Sequence, residues 1–142
     1  MKALKIIYFF LSLLIISSCN KDQTTCPSNN MKLVEGTWAG KLDTDSLFLT
    51  FIEGEFEGSP TLSGSGFISN PINATSYIIM NGSHDRQKNI YFSLYKYPVL
   101  GKEDFQLNGI LINNRINGTF SKYDQTGKII NTGDWSVKTW YQ

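Results

Sequence analysis

Phe105-Gln106-Leu107-Asn108-Gly109-Ile110-Leu111-Ile112-Asn113-Asn114-Arg115-Ile116-Asn117-Gly118-Thr119-Phe120 reads as two strands joined by a two-residue reversal. Asparagine tolerates the positive φ that such a turn requires, so Asn113-Asn114 is the turn and both flanks are extended. In the second flank Ile116, Gly118 and Phe120 oppose Asn117, Thr119 and Ser121. One apolar face and one polar face indicate an antiparallel sheet with a wet side.

The same pattern extends in both directions. From Leu33 onward Gly, Asn and Asp recur between segments rich in Ile, Phe, Tyr, Trp and Thr, while no stretch has the period of an amphipathic helix. Eight strands are predicted, over 33–43, 46–53, 61–68, 75–83, 89–97, 103–112, 115–123 and 129–141. Asp124-Gln125-Thr126-Gly127 makes one reversal, and His84-Asp85-Arg86-Gln87-Lys88 makes another that is polar throughout and expected at the surface. In the fifth strand Ile90, Phe92 and Leu94 share one side, and Tyr91, Ser93, Tyr95 and Tyr97 the other.

Gly40, Gly64, Gly66, Gly82, Gly109 and Gly118 fall inside predicted strands, where glycine weakens a sheet unless the sheet bends sharply or another group approaches closely. A strongly coiled barrel needs such bends, and a flat sandwich accounts for them less well. The expected fold is all-β: a single antiparallel up-and-down β-barrel of about eight strands, closed so that it has no edges.

Gly36-Thr37-Trp38, early in the first strand, resembles the Gly-x-Trp signature of the lipocalin and avidin superfamily, the calycins. The resemblance implies that Trp38 plugs one end of the barrel. It also implies that the closing strand, Gly133 to Trp140, pairs back with the first. Lipocalins commonly pack an arginine of the last strand over this tryptophan, and Lys138 is the nearest candidate here. A fold of this kind hosts many functions, so the likeness speaks for architecture before activity.

The N-terminus carries an address. Lys2 and Lys5 precede a run from Ile6 to Ile16 that is apolar apart from Ser12, a charged start followed by a greasy core. At about 1.5 Å per residue, a helix of this length falls far short of a ~30 Å hydrocarbon layer. Ile16-Ser17-Ser18-Cys19 then resembles the lipobox of bacterial lipoproteins. That resemblance implies cleavage before Cys19, a diacylglyceryl group on its thiol, and residence in the bacterial cell envelope, at the outer membrane on its periplasmic or surface face. Two or three acyl chains, at about 0.8 kcal/mol per buried methylene, hold a protein stably where one does not. The expected organisation is a signal peptide over 1–18, a lipidated polar tether over 19–31 and a barrel over 32–142. Lys21-Asp22 beside the anchor resembles the export tags of some surface lipoproteins.

Composition narrows the chemistry. Thirteen Lys and Arg, less Lys2 and Lys5, leave eleven basic residues against twelve acidic ones, which is no footprint for nucleic acid. With Cys19 committed to lipid, Cys26 is a lone thiol in the tether, and no disulfide framework exists. His84 is the one histidine of the chain, so a zinc shell is not expected, and its sequence neighbours Ser83 and Asp85 do not make a nucleophilic triad. It is expected as a solvated turn histidine. Glu53, Glu55 and Glu57 would share one face of an extended segment, but Gly54 and Gly58 mark an acidic loop at the mouth of a hairpin.

The aromatic set is the better binding candidate. Tyr91, Tyr95 and Tyr97 present rings with hydroxyls on one face, suited to stacking on sugar rings or covering an apolar ligand, and Trp38 joins them from the superfamily resemblance. Trp135 and Trp140 are expected as packing residues near the barrel ends. The expected function is a membrane-anchored binding barrel for a small apolar or sugar-like ligand, with no cofactor, no metal and no enzymatic activity. The alternative is an interaction lipoprotein that docks on an envelope assembly or inhibits a foreign protein.

Overall fold

Two pairs of left-handed residues set two of the hairpins. Asn113 and Asn114 (φ 49° and 59°) and Glu57 and Gly58 (φ 51° and 77°) each place consecutive positive φ values between strands, the twist that matches a tight antiparallel hairpin. The computed structural model describes residues 32–98 and 101–140. The leader, Cys19, the tether and Cys26 lie outside the described residues.

The eight strands are β1 (Gly36–Leu42), β2 (Asp45–Phe56), β3 (Ser59–Ser69), β4 (Ala74–His84), β5 (Asn89–Lys96), β6 (Phe105–Ile112), β7 (Arg115–Tyr123) and β8 (Ile129–Thr139). Each pairs antiparallel with the next, and β1 pairs with β8 from Trp38↔Thr139 to Leu42↔Trp135, so the sheet closes as an up-and-down barrel. The architecture is compatible with a calycin-like fold.

The alternation expected for the fifth and seventh strands is present except at Ser93, which is buried with its hydroxyl donating to Glu103 at 2.7 Å. Ile90, Phe92 and Leu94 are buried while Tyr91 and Tyr95 are half-exposed; Ile116 and Phe120 are buried while Asn117 and Thr119 are exposed. Aromatic rings meet edge-to-face across the interior, Phe92 lying 5.1 Å from Phe51 and 5.5 Å from Trp135 between centroids. Trp135 therefore stands in the middle of the core rather than near an end. Full burial contributes about 1.5–3 kcal/mol for each such side chain. The inward side chains of all eight strands join in one apolar cluster that runs from Val34 to Val137.

One crease shapes the wall. Gly109 and Gly118 face each other across β6 and β7. A Cβ on Gly118 would lie 1.8 Å from the carbonyl oxygen of Asn108 and 2.5 Å from Cα of Gly109, so no side chain fits there. On the inner side Trp135 Nε1 donates to the Asn108 carbonyl at 2.9 Å.

Candidate functional site

Over this crease, the outer wall of β4–β7 carries a groove of about 560 Å³. Its surface is more apolar than polar: His84, Ile90 and the crease glycines reach it, beside the outward side chains of Ser83, Asn89, Tyr91, Asn108, Ile110, Asn117 and Thr119 and the carboxylate of Asp85. The outward side chains come from alternate positions that point away from the core, which is why strand periodicity gathers them on one wall.

Two networks hold the groove in shape. Gln106 Nε2 donates to the Tyr91 hydroxyl, and the Tyr123 hydroxyl donates to Gln106 Oε1 at 3.0 Å, so the tyrosine ring is fixed from a neighbouring strand. Asp85 accepts from the Asn89 side chain at 2.7 Å and from its backbone amide at 2.9 Å. Those hydrogen bonds, the side-chain one foremost, hold the Asp85 carboxyl below the usual carboxylate range, so the groove keeps one negative charge.

The remaining candidate tyrosines lie elsewhere. Tyr95 accepts from Asn81 Nδ2 at 3.0 Å, and Tyr97 lies past the end of β5 and is 59% exposed. At about 3.3 Å per residue, Tyr91 and Tyr97 are roughly 20 Å apart along the chain direction, too far to hold one small ligand together. Trp38 is inside, 3% exposed, with its Nε1 donating to the Val34 carbonyl at 2.7 Å. Lys138 is exposed on the outer face, where it neither shares the inner side with Trp38 nor covers it.

His84 corrects the sequence reading. It is the last residue of β4 and points inward, its side chain 12% exposed, with Nε2 3.3 Å from Oε2 of Glu53, whose own side chain is 9% exposed. The cause is a bulge: Asn81 adopts φ 54°, the β4–β5 register shifts between Met80 and Ser83, and inward positions after Ile79 become Gly82 and His84. The acidic stretch also differs from a loop, since β2 runs on to Phe56 and only Glu57 and Gly58 turn.

Glu53 serves the barrel end. Its Oε1 accepts from the backbone amides of Val34 and Glu35, the latter at 2.9 Å. Val34 is thereby held by its amide to Glu53 and by its carbonyl to Trp38, and it is fully buried. Residues 33–35 thus cap the barrel. Ser83, the neighbour of His84 in the chain, alternates to the outer face, away from the pair. Among the described residues no cluster of His, Cys, Asp and Glu is placed to hold a metal ion.

The alternation Leu47, Leu49, Phe51 already pointed Glu53 inward, whereas the capping role of Val34 had no signal in the chain. Comparison of the chain with protein-family models, with curated proteins and with solved structures yields no match.

Proposed function

We propose that this chain is a lipid-anchored protein of the bacterial envelope whose barrel binds a sugar-like ligand in the β4–β7 groove. The observation that carries the reading is the lining itself: side-chain amides and hydroxyls beside a tyrosine ring fixed by Gln106. Planar amides donate and accept at once, as paired sugar hydroxyls require, and the C–H face of a sugar ring packs on an aromatic ring. Ile110 and the Tyr91 ring add apolar surface on which the C–H face of a sugar ring packs. Lipidation at Cys19 supplies the location, and no catalytic step or cofactor is assigned.

Calorimetric titration of the chain against neutral and amino-sugar oligosaccharides tests this. Binding by at least one class is expected, weakened about tenfold in Tyr91→Ala, which removes roughly 1.4 kcal/mol of stacking and polar contact. Tyr97→Ala, outside the groove, leaves it unchanged. Absence of binding by every class, with a protein partner captured through the same wall, would transfer the groove to the docking alternative.

A further inference from the structure

The opposite wall carries a second chemistry. On the outer face of β8, β1, β2 and β3 the Trp140 ring stands edge-on to Phe48 at 5.6 Å, and Phe48 lies directly across the register from Phe67. Ala39 lies across the register between Phe48 and Lys138. Trp140 and Phe67 remain 49% and 39% exposed, so this is an aromatic stripe left open to the surroundings.

The charges nearest the stripe are positive, and Asp43, Asp45 and Asp134 follow only beyond the Lys41 row. The cross-strand row through Phe48 and the rows on either side of it, from β8 to β3, contain Lys138 and Lys41 and no carboxylate, and Arg115 pairs next to Lys138. Over the whole chain, by contrast, acids and bases nearly balance. Exposed aromatic rings framed by lysine and arginine are the composition that rests in the headgroup layer of an anionic bilayer. On the anchor reading, the sixteen residues between Cys19 and Gly36 lead into β1, which lies within this wall.

We infer that the Trp140–Phe48–Phe67 wall lies on the surface of an anionic phospholipid membrane, holding the barrel on its side with the β4–β7 groove turned away from the lipid. The inference rests on the anchor reading for its geometry. It adds an orientation that an acyl chain on a polar tether does not impose by itself.

Tryptophan emission of the natural lipidated protein tests the orientation, in vesicles of phosphatidylglycerol and phosphatidylcholine with brominated acyl chains. Trp38 and Trp135 are enclosed in the core, so Trp140 alone reports lipid contact. Emission is expected to fall by up to about a third relative to unbrominated vesicles, the share of one tryptophan in three. Trp140→Phe abolishes the fall. Lys41→Glu with Lys138→Glu lessens it, as does salt near 1 M, where charge acts over only about 3 Å.

Equal emission in both vesicle types, with the diacylglyceryl group on Cys19 confirmed by mass, overturns the orientation and leaves the anchor standing. So does a Trp140 hidden against a second copy of the chain. A mass showing Cys19 unmodified overturns the anchor reading alone. The wall is then judged by flotation of the same chain with anionic vesicles at low salt: flotation lost in the double lysine variant supports it, and no flotation overturns it.

Discussion

The β4–β7 wall and the wall from β8 to β3 stand on the same core and differ in nearly everything outward. One gathers Asn89, Asn108, Asn117 and Tyr91 over a crease, and the other lays Trp140, Phe48 and Phe67 in a stripe between cations. Their inner positions are interchangeable in kind, since every strand contributes aliphatic or aromatic side chains to one cluster. The difference teaches that closing a barrel constrains alternate residues severely and the others hardly at all. Outer positions answer only to neighbours across the strand, so each wall can take up its own chemistry.

If both walls depend on one core, the largest effect belongs to the ring between them. Phe92→Ala removes the side chain that touches both Phe51 and Trp135 and is expected to cost about 3–5 kcal/mol in denaturant unfolding. Far- and near-ultraviolet signals would shift together; separate transitions would break the idea of a shared core.

Gly118→Val strikes the groove wall at its crease. The added Cβ meets backbone atoms rather than a flexible side chain, and a loss of about 3 kcal/mol or more is expected in thermal unfolding. Gly101→Ala, where a Cβ meets nothing within 4 Å, stays within about 0.5 kcal/mol of the parent.

Glu53→Ala separates the cap from both walls. It leaves the Val34 and Glu35 amides without their acceptor and is expected to cost about 1–3 kcal/mol. Hydrogen exchange at those two amides would quicken while Phe92 and Leu94 keep their protection. Uniform acceleration would show that the cap and the core unfold as one unit.

The smallest effect is a titration at the other end of the barrel. Burial, then the charge of Asp104, pushes the Tyr77 phenol up to about 12 from 10.0. The folded state therefore keeps this proton where the unfolded chain would lose it. The associated stability is fully present below about pH 10 and is lost as pH rises toward 12. Melting temperature followed over that range should decline, and Tyr77→Phe should flatten the decline.

Much of this fold was legible because alternation and turn residues are local signals. Arg115–Tyr123 was predicted to the residue, and the Asn113-Asn114 turn adopts the positive φ values expected of it. His84 was not legible, because one left-handed residue at Asn81 reverses which side of β4 faces in, and alternation counted along the chain has no means of seeing the skipped position. The tyrosines show the same limit. Tyr91, Tyr95 and Tyr97 alternate correctly, yet only Tyr91 reaches the groove, since the groove is made by β6 and β7 passing beside one point of β5.

The sequence by itself determined the eight strands, the inward faces of β5 and β7 and the Asn113-Asn114 reversal, for these follow from period-two hydrophobicity and from residues that accept positive φ. Only the tertiary structure decided that Glu53 meets His84 and the Val34 amide, that Gly109 faces Gly118, and that Phe48, Phe67 and Trp140 form one surface. These partners are far apart in the chain, and cross-strand register and closure of the barrel, both set by packing of the whole core, bring them together.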